Sequence, residues 1–208
     1  MRAIEEIFAS YEGRPLGVER FYAVLLPLVE IAGQQFLLYE VRAAHISQAG
    51  DAAFPGGRLE DGETFRQAAI RETVEEIGIA AEKIKILGEM DYFINHKRAI
   101  ASFVARLEID SLADLSVNTD EVERVFLIPL DYLMAQPPQS YEISFDPQVP
   151  ADFPYDSLPK PGKQRIGRQP NQKLLFYHFK DEVVWGMTAQ LTKRFIDIIQ
   201  DNLLGGAS

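Results

Sequence analysis

The stretch GGRLEDGETFRQAAIRETVEEIGI, from Gly56 to Ile79, decides how this chain is interpreted. Near its end, Glu72, Glu75 and Glu76 fall within five residues. Carboxylates three or four residues apart on a helix repel each other by some tenths of a kcal/mol per pair. The sequence therefore raises the question of what offsets the repulsion among the three carboxylates.

Local signals around this stretch define a helix from about Phe65 to Ile77. Thr64 is a good N-cap residue, and Gln67 stands three residues later as its capping-box partner. Gly78 occupies the position where helices commonly end in a left-handed residue. The sequence therefore predicts both ends of the helix.

Helical periodicity places the three glutamates together. At 100° per residue they share an arc of roughly 100°. We expect Ala68 and Ala69 to flank this arc and keep it uncluttered. The apolar side chains fall on the opposite side, namely Ile70, Val74 and Ile77. The pattern predicts a core face and a separate anionic face.

Two interpretations of the anionic face stay open, a solvated surface and a metal site. Arg71 can neutralise one or two carboxylates but not all three, and the Gly56-Gly57 pair allows close approach of the backbone to a ligand. Hard divalent cations such as Mg²⁺ and Mn²⁺ prefer oxygen ligands and usually accompany phosphates. These features favour a metal site.

Composition limits the possible functions. The chain has 208 residues, a net charge of -10 and no cysteine, which excludes disulfides, zinc-thiolate sites and cysteine nucleophiles. The negative charge argues against binding to nucleic acid or anionic membranes. An acidic amphipathic stretch follows Met1 in place of a basic and then apolar leader, so we expect a cytoplasmic protein.

Strands and helices alternate irregularly, so we expect an α/β fold of the mixed (α+β) type, with helices packed on a mixed sheet. A single domain is predicted over residues 1–208, with a proline-rich surface insertion at about 136–172. Strands are expected at 21–31, 36–41, 85–94, 99–109 and 122–128, followed by a hairpin around Lys180–Asp181. Further helices are expected at 2–12, 130–136 and 188–200.

Gly57, Glu63 and the segment RETVEEIGI, from Arg71 to Ile79, have the spacing of the Nudix box. Thr73 stands where that family usually has an aliphatic residue. The resemblance implies a mixed sheet sandwiched between helices. It also implies a hydrolase that cleaves a nucleoside diphosphate linked to another group, using Mg²⁺ or Mn²⁺.

The resemblance also implies roles for individual residues. Arg71 would orient the acidic loop and helix, and the general base often lies outside the box. Glu121 is the predicted base, with Asp120 and Glu123 beside it, and the alternative is that all three are surface charges. The metal ligands would be the Gly57 carbonyl, Glu72, Glu75 and Glu76.

The region before the box is similar to the coenzyme A pyrophosphatase branch of the family. Arg42 follows the second strand, and Gly50 precedes the Phe-Pro-Gly-Gly turn, as in that branch. Arg42, Phe54 and Gly56 are therefore predicted to bind substrate. A second basic residue often found between Arg42 and Gly50 is absent. Trp185 also lies in a segment similar to this branch, and we expect it to be a core residue.

Three functions remain open from the sequence. They are a coenzyme A pyrophosphatase, a Nudix hydrolase for ADP-ribose or a dinucleotide, and a non-catalytic domain that senses a nucleotide. The intact glutamates argue against the third. Each has a small-molecule nucleotide as partner, and a homodimer is left open. Four cations could read the 3′-phosphate of coenzyme A or simply keep a loop soluble, namely Lys160, Lys163, Arg165 and Arg168.

Overall fold

A computed structural model describes residues 2–13, 15–95, 97–145, 148–159 and 171–205. The helices of this part are α1 (Arg2–Ser10), α2 (Phe65–Ile77), α3 (Leu130–Ala135) and α4 (Gly186–Gly205). The first strands are β1 (Arg20–Ile31), β2 (Gln34–Arg42), β3 (Ala52–Ala53), β4 (Gly56–Arg58), β5 (Ile84–Glu89) and β6 (Phe93–Asn95). The later strands are β7 (Arg98–Leu107), β8 (Val122–Pro129), β9 (Gln139–Ile143), β10 (Gln172–Phe179) and β11 (Glu182–Trp185).

The main sheet is mixed, with the strand order β3-β2-β1-β7-β5. β1 runs parallel to β7 and antiparallel to β2 and β4. β8 pairs with β2, and β6 pairs with β7. β1 can lie inside the sheet because its middle residues, from Ala23 to Pro27, are buried, as both faces of a covered strand must be.

Helices cover both faces of this sheet. Ala68, Ala69 and Ile77 of α2 pack in one core layer. Leu133 of α3 and Phe195 of α4 pack in the layer on the other side. The predicted fold, a mixed sheet between helices, is confirmed.

Side chains of β2 alternate between these two layers. Leu37, Tyr39 and Val41 belong to the layer of α4, whereas Leu38 belongs to the layer of α2. Because successive side chains of a strand point to opposite faces, Glu40 shares the face of Leu38 and points to the α2 side. A charged residue therefore lies beneath the acidic helix.

Several predicted elements differ from the structure. The strand expected at 85–94 is divided between β5 and β6. The proline-rich segment contains β9, which pairs with β10 in a separate three-stranded sheet. Every residue of β9 is exposed, so it carries no apolar alternation that would have revealed it. Within the described ranges, none of the helices has the length and hydropathy needed to span a bilayer.

Candidate active site

Arg71 fixes the loop before α2 to the helix itself. Its Nε and Nη2 donate to the two carboxylate oxygens of Glu63, at 2.9 and 3.1 Å. Nη2 also donates to the Arg58 carbonyl at 3.1 Å. The hydrogen bonds from Arg71 lower the pKa of Glu63. This bidentate contact is the geometry that a guanidinium favours with a carboxylate. The contact fixes the position of the loop relative to the helix.

The same guanidinium also contacts two of the three helix glutamates. Nη1 donates to Glu72 Oε1 at 2.9 Å and to Glu75 Oε2 at 3.1 Å. Glu76 instead accepts a hydrogen bond from the Gly56 backbone N–H at 2.8 Å. Arg71 therefore offsets part of the repulsion among the carboxylates, and it has no contact of this kind with Glu76.

The glycine pair lets the backbone pass directly beneath the carboxylates. A Cβ on Gly57 would lie 2.2 Å from Glu72 Oε1. A Cβ on Gly56 would lie 2.3 Å from the Ala23 carbonyl oxygen. Both distances are far below van der Waals contact, so a side chain at Gly57 would collide with the Glu72 carboxylate and one at Gly56 with the backbone of β1.

The predicted apolar face of α2 packs against the core, but the anionic face is not separate from it. Ala68 and Ala69 are fully buried, Glu76 is only 4% exposed, and Ile70 and Val74 are half-buried. The two alanines are small enough for the helix to approach the sheet on this side. The acidic arc therefore overlaps the core face, and Glu76 points toward the sheet.

Glu40 is a buried carboxylate close to the acidic residues of α2, and the sequence interpretation missed it. It is 1% exposed, and within the described part of the chain its Oε2 has no hydrogen-bond partner. Burial raises the pKa of Glu76, and the charge of Glu40 raises it further. Burial also raises the pKa of Glu40, against the opposing effect of Arg42. A charged residue inside the apolar run FLLYEV was the available signal.

Glu121 is held beside this cluster by backbone hydrogen bonds. The Asn118 N–H donates to the Glu76 carbonyl at 2.8 Å, and the Ala43 N–H donates to the Glu121 carbonyl at 2.9 Å. The loop is thereby attached to the end of α2 and to the end of β2. The charge of Glu121 raises the pKa values of Glu40, Glu72 and Glu76, and its side chain stays exposed.

A cleft of about 590 Å³ opens next to the acidic cluster. Glu72 and Glu76 line one part of it together with Gly56 and Gly57. Three arginines also line the cleft, namely Arg42, Arg58 and Arg98. Carboxylates can bind a metal ion and guanidinium groups can bind anions, so a cleft that contains both suits an anionic ligand that binds together with a metal ion. The sequence interpretation had singled out the first of the three arginines and missed the other two.

The expectation that Trp185 is a core residue is wrong. Its side chain is 38% exposed and lines the same cleft. The indole N–H donates to Asp51 at 3.0 Å, and the ring stacks on Phe176 at 6.0 Å between centroids. Phe54 also lines the cleft, but its ring is buried and stacks on Tyr39. An aromatic face is therefore available to a planar ligand at Trp185.

Part of the predicted site lies outside the described residues. This applies to the basic residues of the proline-rich segment, namely Lys160, Lys163, Arg165 and Arg168. Their role in reading a 3′-phosphate stays a prediction. His45 and His178 lie within the described ranges, and both are exposed.

The donor set suits a divalent cation, although its members are not yet gathered around one point. Within the described ranges, no group of three or more His, Asp or Glu side chains is arranged to hold an ion. Glu72 and Glu75 are instead turned to Arg71, and Glu76 to Gly56. The unpartnered Glu40 oxygen and the Glu72 carboxylate against Gly57 are the features that an ion would complete, since hard cations take carboxylate and carbonyl oxygens.

The raised pKa values predict how metal-free stability depends on pH. Glu40 and Glu76 hold their protons more tightly in the folded state than in the unfolded state. Their contribution to the free energy of unfolding is therefore complete below pH 4.5, the ordinary pKa of a glutamate, and it is lost as the pH rises through the pKa values of the folded state. In a chelator, the melting temperature should fall by about 3 °C or more between about pH 5 and pH 8. Glu76→Gln should flatten this slope, and a wild-type melting temperature that rises over the range would contradict the assignment.

Comparisons of this chain with a family model and with known proteins point to the same family. The NUDIX domain model matches residues 20–147. Nudix hydrolase 3 of Caenorhabditis elegans is 39% identical over 118 residues, which cover 54% of this chain and 48% of that protein. The peroxisomal coenzyme A diphosphatase NUDT7 of Mus musculus is 30% identical over 122 residues, which cover 58% and 50%. The chain spans about half the length of these relatives.

A solved structure shows the same fold. The crystal structure of a MutT/nudix family protein from Enterococcus faecalis aligns with a TM-score of 0.51 and 15% identity, over 96% of this chain and 70% of that one. The residues matched by the family model include the acidic helix, the glycine pair beneath it and the loop that carries Glu121. The chain belongs to the Nudix family.

Proposed function

We propose that this protein is a hydrolase that depends on Mg²⁺ or Mn²⁺ and cleaves the diphosphate of a nucleoside diphosphate derivative, with coenzyme A as the substrate. The products would be 4′-phosphopantetheine and adenosine 3′,5′-bisphosphate. The observation that carries the proposal is the acidic residues of α2 at the wall of a cleft that also presents three arginines. Its partner is a small nucleotide, and the cytoplasmic location stays a prediction.

The carboxylates and the arginines of the cleft would have different roles toward a diphosphate substrate. Nudix hydrolases generally use divalent metal ions. Glu72, Glu75, Glu76 and the Gly57 carbonyl would hold the cation, which neutralises phosphate charge and makes water a better nucleophile. The arginines of the cleft would bind phosphate oxygens farther from the scissile bond, where a guanidinium can contact two oxygens at once.

Arg71 would act by positioning the acidic residues and not by touching the substrate. Its guanidinium already contacts Glu63, Glu72 and Glu75. Glu72 and Glu75 would serve as ligands to the cation, and Arg71 would remain paired with Glu63. The loop and helix then keep their relative position during turnover.

Glu121 is the proposed general base. Its backbone is attached to Ala43, and its loop is attached to Glu76, so the exposed side chain lies at the edge of the acidic cluster. An exposed carboxylate that is not already held by Arg71 can accept a proton from water. Phe54 and Gly56 shape the cleft wall, and Arg42 is proposed to contact the substrate.

Coenzyme A is favoured because the resemblance around Arg42 and the Phe-Pro-Gly-Gly turn is joined by a relative named coenzyme A diphosphatase. In a panel of coenzyme A, dephospho-coenzyme A, ADP-ribose and NADH, we expect coenzyme A to give the highest kcat/KM. We expect a preference of about tenfold or more over dephospho-coenzyme A, because hydrogen bonds to a charged group are worth about 1.5–3 kcal/mol each.

Product identification by mass completes this measurement. Release of 4′-phosphopantetheine places the cleavage in the diphosphate. A higher kcat/KM for ADP-ribose or NADH would replace coenzyme A as the substrate and keep the hydrolase. Binding of nucleotides without turnover, in either metal, would instead favour a sensor.

A further inference from the structure

Glu40 is a charged residue fixed inside the sheet. β2 pairs with β3 at Glu40 and Ala53, and with β8 at Glu40 and Val125. Strands on both sides hold its backbone, and the neighbouring residues Tyr39 and Val41 are buried in the opposite layer. The side chain is therefore held in the protein interior, where the residue is 1% exposed.

If Glu40 had only a structural role, nothing would offset the free-energy cost of burying its carboxylate. Transfer of an isolated carboxylate from water into an apolar interior is costly unless the charge is paired or binds a metal. The positive charge of Arg42 favours the ionised form of Glu40, whereas the negative charges of Glu72, Glu76 and Glu121 oppose it. Buried polar atoms are nearly always hydrogen-bonded in native proteins, whereas Glu40 Oε2 has no such partner among the described residues.

We propose that Glu40 binds the divalent cation together with the acidic residues of α2, as a carboxylate supplied by the sheet. The inference rests on the proposed metal-dependent hydrolysis, and it extends the site beyond the segment 57–79. Its support is the position of Glu40 on the α2 side of the sheet, its burial and its unpartnered oxygen.

A carboxylate in this position has a consequence for the metal. Each further anionic ligand raises the affinity of an oxygen site for hard cations. Glu40 would supply its carboxylate from the sheet, whereas the other acidic ligands would come from α2. The sheet and the helix would then be joined through the ion, and removal of the ion would leave like charges facing each other.

The test measures Mn²⁺ binding to the full chain without substrate, by calorimetry and by the loss of the free-ion signal in electron paramagnetic resonance. Glu40→Gln should raise the Kd for Mn²⁺ by about tenfold or more, the range seen when groups that support a metal site are removed. In a chelator, the same variant should melt at least about 2 °C higher than wild type, because a neutral amide replaces a repelling carboxylate. Glu30→Gln, an exposed change on β1, is the matched control and should alter neither value.

The two readouts separate metal binding from a structural role. A structural role alone would change the melting temperature of the metal-free protein and leave the Kd at the wild-type value, which would overturn the inference. If Glu40→Gln fails to fold, Glu40→Met fills the space with an apolar side chain of similar length and is judged by the same Kd.

A parallel titration of Glu72→Gln and Glu76→Gln separates this inference from the proposed function. If both variants lose Mn²⁺ affinity and Glu40→Gln keeps it, the role of Glu40 fails alone. If the helix variants bind Mn²⁺ as wild type does, the proposed metal site itself fails.

Discussion

Glu76→Gln should lower kcat/KM by about 10²-fold or more while the protein remains folded, as expected for removal of a preorganised charged group from a catalytic site. Glu76 is buried, and its carboxylate accepts the Gly56 N–H. A glutamine keeps the shape and one oxygen for this hydrogen bond. It removes the negative charge that would hold the cation, so we expect the activity to fall while the fold is kept.

The measurement combines rates with folding. Activity of the wild type should vanish in a chelator and return with Mg²⁺ or Mn²⁺, whereas Glu76→Gln should stay slow when either ion is added. Circular dichroism and melting temperature report the fold, and Glu30→Gln controls for the loss of one negative charge. Undiminished turnover in Glu76→Gln would remove this residue from the site.

The helix itself was predictable because its signals are local. Thr64 and Gln67 form the reciprocal capping box, and Gly78 adopts the left-handed conformation at φ 66°. These interactions involve neighbours within a few residues, so they follow from side-chain chemistry and spacing. The helix begins and ends where the sequence predicted.

The full extent of the buried face of the helix was not predictable from its own periodicity. The predicted apolar arc packs against the core, but Ala68 and Ala69 beside it are buried in the same layer. Small side chains permit close packing without a strong apolar signal. Which face is buried depends on the sheet beneath, and this includes the turn at Gly56 that contacts Glu76.

Glu40 shows the same limit more clearly. Its neighbours in the chain are apolar, and its relation to the acidic helix arises only when β2 is placed beneath α2. The separation of Glu40 from Glu76 is 36 positions in the sequence, so no local pattern joins them. Trp185 is likewise brought to the cleft by its hydrogen bond to Asp51, a partner 134 positions away.

Glu121→Gln should lower kcat by about 10²–10⁴-fold, the usual cost of losing a general base. KM should change little, because the side chain would accept a proton from water and would not bind the substrate. The loop is held by the Ala43 N–H and by the Asn118 contact with Glu76. Both are backbone interactions, so the substitution leaves the loop in place.

The Mn²⁺ affinity of Glu121→Gln distinguishes whether Glu121 is a general base or a further metal ligand. If Glu121 is the base, the variant should bind Mn²⁺ as wild type does while its kcat falls. A variant that loses both rate and Mn²⁺ affinity would make Glu121 a ligand. A rate within about threefold of wild type would place the base elsewhere, since general-base catalysis contributes about 10²-fold or more. Asp120→Asn, on the same loop, and Glu123→Gln, at an exposed position of β8, are the matched variants that would then locate it.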